Sequence, residues 1–76
     1  MNPERIVAEV SKNWREDVDP NADDTIARRF EHVIAVNKKR GYELESWKYQ
    51  QTAYQHEGTG RILETIIAVF QTKGAR

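Results

Sequence analysis

The strongest periodic signal lies between residues 24 and 40. Projected at about 100° per residue, Ile26, Phe30, Val33 and Ile34 fall on one stripe with Ala27 at its edge. The spacing predicts an amphipathic helix over about 24–40. Asp23 or Asp24 is placed to cap its start, because a short side-chain oxygen satisfies the free amides of a first turn. Gly41 directly follows Arg40, where a left-handed residue without a Cβ ends a helix. Arg28, His32, Ala35 and Lys39 fall on the opposite face. Asn37 falls inside the apolar stripe, and either sits at the wet end of the helix or bonds the loop that follows.

Beyond Gly41 the pattern changes. Tyr42–Gln55 is rich in aromatic residues and runs into His56-Glu57-Gly58-Thr59-Gly60, whose glycines signal a turn. Arg61–Lys73 is rich in Ile, Val, Thr and Phe, so the pair reads as a long antiparallel hairpin. In the first strand, alternation puts Tyr42 and Leu44 on one face and Trp47 and Tyr49 on the other. Either a bulge near Glu45-Ser46 resets the register, or both faces carry apolar groups. In the second strand Ile62, Ile66, Ala68 and Phe70 share one face, and Leu63, Ile67 and Val69 share the other. A strand apolar on both sides reads as one covered on both sides.

The first segment is ambiguous by local signals. Asn2-Pro3-Glu4 followed by Ile6, Val10 and Trp14 at a spacing of four favours a helix. The β-branched Ile6, Val7 and Val10, with Ile6, Ala8 and Val10 alternating against Glu9 and Ser11, permit a strand at about 5–13. A strand gives β-α-β-β, with the first strand added to the hairpin edge. A helix gives α-α-β-β and covers the second sheet face itself.

One helix covers one face of a small sheet. The other must be covered by the N-terminal segment or by a second subunit, because an apolar patch left in water usually marks an interface. The candidate interface is Trp47, Tyr49, Leu63, Ile67 and Val69. Size points the same way. A chain of 76 residues forms one domain with a marginal core, and with no Cys it has neither disulfides nor a thiolate zinc site to help. The sequence therefore favours a homodimer or small homo-oligomer. Residues 1–4 and 74–76 are expected to fray, and 15–23 to form an acidic loop.

Charge refines the picture. The formal net charge is zero, but residues 1–24 carry a net −4 and residues 25–41 a net +4. Acids before a helix and Lys38, Lys39 and Arg40 at its end are favoured by the helix dipole, which accounts for most of the asymmetry. What it leaves is a candidate basic patch of Arg28, Arg29, Lys38, Lys39 and Arg40, able to meet phosphates while Trp47 or Tyr49 stacks on bases. A nucleic-acid-binding accessory protein is the alternative reading. The longest apolar run, Ile66–Phe70, is far too short to span a bilayer, and no secretory leader is visible, so the expected location is cytoplasmic.

The Gly41-Tyr42-Glu43-Leu44-Glu45-Ser46 segment resembles a pattern found in small bacterial and phage domains of unknown function: strand, polar loop, helix, then Gly-Trp-Glu-Leu-Val-Ser opening a strand. The likeness spans roughly residues 5–73, with Tyr42 for Trp, Glu45 for Val, and Phe70-Gln71-Thr72-Lys73 in place of a Phe-Lys-Arg ending. It implies an α+β fold of order β-α-β-β, one helix on a small antiparallel sheet, and brings no activity or site residues with it. A weaker resemblance is to dodecins, β-α-β-β proteins that assemble as hollow dodecamers and bind flavins between aromatic side chains. It rests on Ala22-Asp23-Asp24-Thr25-Ile26 and the Trp47-bearing strand, and implies a flavin or small-ligand binder as a further alternative.

Catalytic chemistry finds little support. Glu43 and Glu45, two apart on a strand, share a face, but no nucleophile or metal partner accompanies them. His32 and His56, with Glu57, are a sparse ligand set and read as polar surface. Gly58-Thr59-Gly60-Arg61 offers the parts of an anion nest without a phosphate-loop signature, and reads as a turn. Ser11 and Ser46 lack a nucleophile context. The sequence thus favours a non-enzymatic, cofactor-free module that self-associates or binds a partner protein through its sheet.

Overall fold

A computed structural model describes residues 4–15 and 25–73. Within them the order is β1 (Arg5–Arg15), α1 (Ile26–Lys39), β2 (Tyr42–His56) and β3 (Thr59–Thr72). The strands form one antiparallel sheet in the order β1-β3-β2. The first segment is therefore a strand. Its β-branched alternation prevails over the helical cap signals at Asn2-Pro3-Glu4, because β3 offers it a full-length partner from Arg5↔Gln71 to Arg15↔Arg61. The acidic stretch 16–24 and both chain ends lie outside the described residues.

The helix starts slightly later than the sequence suggests. Its cap is Thr25 rather than Asp23 or Asp24: in extended conformation, its Oγ1 accepts the Arg28 amide at 3.2 Å. At the other end Gly41 has φ +91°, and its amide donates to the Lys38 carbonyl at 3.1 Å, as a left-handed residue past a helix end does. Asn37 is buried and resolves its ambiguity locally. Its amide nitrogen donates to the Val33 carbonyl at 3.0 Å, one turn back, and its oxygen accepts from Arg40 at 3.4 Å.

The core lies between α1 and one sheet face. Ile26 packs with Val10 and Ile66. Phe30 and Val33 bridge from there to Tyr42, Ala68 and Phe70, where Ile34, Ile6, Ala8 and Leu44 join. Tyr42 and Phe70 are the largest fully buried side chains. The Arg40 guanidinium lies 5.8 Å from the Tyr42 ring centre, a cation–π contact that covers this end of the core.

The hairpin turn is the two-residue pair Glu57-Gly58, with φ +51° and +78°. Two positive φ values give the backbone twist that matches the flanking strands. The helix, 14 residues and so about 21 Å long, is much shorter than the long axis of the molecule, 49 Å. The distal half of the hairpin thus extends past the helix.

Candidate functional site

Antiparallel partners share a sheet face, so the strand register assigns each side chain to the helix side or the open side. In β2 the register shifts between Leu44 and Ser46: Leu44 pairs with Phe70, but Ser46 pairs with Val69 and Trp47 with Ala68. Glu45 is the extra residue of a β-bulge. Of the two options the sequence leaves open, the bulge is the one adopted, and it moves Trp47 and Tyr49 to the helix side. The Trp47 ring meets Phe30 at 5.6 Å, inclined 56°. The five candidate interface residues therefore do not share a face. This corrects the grouping: Trp47 and Tyr49 flank α1, while Leu63, Ile67 and Val69 point away from it.

The open side is built in rows of three, one residue from each of β1, β3 and β2. They run Arg5–Gln71–Glu43, Val7–Val69–Ser46, Glu9–Ile67–Lys48, Ser11–Thr65–Gln50, Asn13–Leu63–Thr52 and Arg15–Arg61–Tyr54. Among the described residues no element covers this face. Val7 is 69% exposed and Ile67 46%, and Val69 and Leu63 are half-buried only by their neighbours in the sheet. The apolar strip runs down the middle strand and spreads to β1 at Val7, with polar residues on both sides. Beside β2 lies a shallow depression of about 370 Å³, lined by Ser46, Trp47, Lys48, Gln50, Ile67 and Val69. Val7, on the same face, is not among the five residues that the sequence marks as candidates. Its alternation with Ile6 and Ala8 is the signal that marks it, once the segment is read as a strand.

At its two ends the open face is braced by polar contacts. Arg5 forms an ion pair with Glu45 at 2.9 Å, and Gln71 donates to Glu43 at 3.4 Å. Both carboxylates of the Glu43/Glu45 pair are thus engaged across the sheet. Toward the hairpin tip, the Asn13 amide donates to the Tyr54 hydroxyl, tying β1 to β2 over β3.

On the helix side, beyond the first turn of α1, Glu64 is the centre of a second polar group. Its two carboxylate oxygens accept from Trp14 Nε1 at 2.6 Å and from the Tyr49 hydroxyl at 2.8 Å. This lifts the Tyr49 pKa above its ordinary value of 10.0, first by desolvation, then through the hydrogen bond and the negative charge of Glu64. The adjoining cleft, about 280 Å³, is lined by residues that include Lys12, Trp14, Thr25, Gln51 and Glu64. Glu64 falls among the even-numbered apolar residues of β3, where the hydrogen bonds from Trp14 and Tyr49 satisfy its carboxylate.

The five basic candidates do not converge. Arg28 and Lys39 lie on the exposed back of α1 at opposite ends, about 16 Å apart at the rise of a helix. Arg29 reaches down one flank, where its guanidinium donates to the Ser11 carbonyl at 2.7 Å. Lys38 lies near Tyr42, Glu43 and Lys73, and Arg40 is held over Tyr42. His32 sits on the helix back and His56 at the hairpin tip. Among the described residues no group of three His, Cys, Asp or Glu side chains is arranged to hold a metal ion, and no helix is long and apolar enough to cross a membrane. No family model, curated protein or solved structure matches this chain.

Proposed function

We propose that the protein is a small non-enzymatic module that works by self-association through the open face of its sheet. One observation carries this reading: Val7, Leu63, Ile67 and Val69 form an apolar strip on a sheet face with no layer above it among the described residues. A sheet with an apolar face gains stability by packing that face against another layer. The area is sufficient. Eleven paired residues of β1 give a face about 35 Å long, and three strands make it about 14 Å wide, so two copies bury at least about 1,000 Å² together. That is the lower end of specific interfaces, and it sets the expectation of a dimer that dissociates on dilution.

The test is the solution mass by sedimentation equilibrium across a range of concentrations, for the wild-type chain and for Ile67→Lys. The wild type is expected to approach twice its monomer mass of 8.9 kDa as concentration rises. Ile67→Lys is expected to remain a monomer while keeping its far-ultraviolet circular dichroism. A wild-type chain that stays monomeric at several hundred micromolar, or a dimer unaffected by Ile67→Lys, would sink the reading.

A further inference from the structure

The rim of the open face carries charges in a pattern that favours one arrangement of two copies when their faces overlap fully. β1 presents Arg5 and Glu9, and β2 presents Glu43 and Lys48, on either side of the apolar strip. Glu9 and Lys48 both pair with Ile67, so they stand at the same height along the sheet, two strand spacings or about 10 Å apart. Arg5 and Glu43 likewise share the Gln71 row. Each row that has a charge on β1 and a charge on β2 thus has opposite signs at its two ends.

Two copies stacked face to face are related by a two-fold axis lying between the sheets. If that axis runs perpendicular to the strands through Ile67, β1 lies over β1 of the other copy. Glu9 then faces Glu9, Lys48 faces Lys48, and both contacts repel. Moving that axis to Val69 sets Arg5 over Glu9 and Glu43 over Lys48, but the Leu63 and Arg61 rows then lie beyond the sheet of the other copy, and the buried area falls well below that of full overlap. If the axis runs along β3, β1 of each copy lies over β2 of the other, and every row keeps its own height. Glu9 then faces Lys48 of the second copy, twice over, and Arg5 faces Glu43. The apolar residues of β3 meet their own counterparts along the axis, Ile67 on Ile67 and Val69 on Val69. The same axis brings Arg61 near Arg61 at the distal end, a repulsion that the four opposite-charge contacts outweigh in this arrangement.

We infer that the occupant of the open face is a second copy of this chain, seated with its β3 alongside the first and in the same direction, and that Glu9–Lys48 pairs between copies fix this orientation. The inference rests on the self-association proposed above and names its geometry. The resulting assembly has four layers, helix, sheet, sheet, helix, with both α1 helices outside. The Glu64 cleft beside each helix stays on the outer surface. Charge at an interface rim acts mainly as a filter on orientation and partner, while the apolar strip supplies the attraction.

The experiment is charge reversal at two exposed positions, Glu9→Lys and Lys48→Glu, alone, combined in one chain, and mixed as two separate chains. Both residues are exposed, so folding is retained and is checked by circular dichroism. Each single variant is expected to weaken dimerisation by about tenfold, because two attractive contacts per dimer become repulsive. The doubly substituted chain is expected to recover wild-type association. An equimolar mixture of the two single variants is expected to form a mixed dimer, seen by native mass spectrometry, in preference to either homodimer. If Glu9→Lys leaves dimerisation unchanged or strengthens it, or if the mixture shows no preference for the mixed dimer, the proposed orientation is overturned. Loss of the dimer in Ile67→Lys together with unresponsive charge variants would refute the orientation and leave the self-association standing. A wild-type monomer would remove both.

Discussion

Trp47 rests against Phe30, ring centres 5.6 Å apart and planes inclined 56°, so the middle of β2 is joined to the first half of α1. Phe30 also belongs to both groups of core residues. The two partners are therefore unequal. Trp47 is 55% exposed and contributes this contact and part of its area, whereas Phe30 joins the two halves of the core. Trp47→Ala is expected to cost about 1–2 kcal/mol and Phe30→Ala about 3 kcal/mol or more. Urea denaturation of each variant, followed by circular dichroism, checks the order. Equal losses would mean that Trp47 holds more of the core than its exposure suggests.

Neighbouring isoleucines in β3 serve opposite faces. Ile66 is 4% exposed beneath α1, whereas Ile67 is 46% exposed on the open side. At concentrations where the chain is monomeric, Ile66→Ala is expected to lower unfolding free energy by about 2–4 kcal/mol and Ile67→Ala by less than about 1 kcal/mol. At higher concentrations the second value is expected to grow, because any stability drawn from association adds by mass action. Thermal midpoints measured against protein concentration test both parts.

The Tyr49–Glu64 contact gives a directional pH dependence. The Tyr49 pKa is raised in the folded state, so this state holds the phenolic proton more tightly than the unfolded chain. The contribution is fully present below the unfolded value, near 10.0, and is lost as pH rises through the folded one. Tyr49 is 44% exposed, so the effect at neutral pH is below about 1 kcal/mol. Tyr49→Phe is expected to flatten the decline in stability on the alkaline side. Phenolate absorbance against pH, compared between the two chains, checks the site directly.

Glu57 occupies the left-handed region at φ +51° in the hairpin turn, where a side chain with a Cβ is strained. Asn tolerates that conformation and is preferred at the first central position of such turns. Glu57→Asn is expected to raise unfolding free energy by about 0.5–1 kcal/mol. A lower thermal midpoint in the variant would show that the Glu57 side chain has a stabilising contact that offsets the strain.

Much of this fold is legible in the residues themselves. The stripe of Ile26, Phe30, Val33 and Ile34 is the buried face of α1, and Gly41 ends it. The two apolar faces of β3 follow from a central strand with a helix on one side. The assignment of β1 depends on pairing with β3, a tertiary effect that the local cap signals cannot report. The candidate site was legible in part. Leu63, Ile67 and Val69 follow from parity alone, but Trp47 and Tyr49 depend on whether Glu45 is an extra residue, and parity before and after a bulge differs by one. Val7 became visible only with β1 assigned. The Glu64 contacts join residues from all three strands, and no spacing in one segment encodes them.

The position of β3 between the other two strands also sets an order of events during synthesis. β1 is made before the other strands of the sheet, yet among the described residues its partner is the strand that follows the hairpin turn: Arg5 waits for Gln71, and Arg15 for Arg61. Until then Val7 and Val10 have no ladder to join, while β2 and β3 close locally around Glu57-Gly58. Non-local pairing of this kind is slow to form and leaves apolar strand exposed to other chains meanwhile. The amides of β1 are therefore expected to gain protection last when hydrogen exchange is pulsed during refolding, after those flanking the turn. Protection of β1 before the hairpin would contradict this order. A nascent chain released before β3 is complete would present β1 to the cell as an unpaired strand.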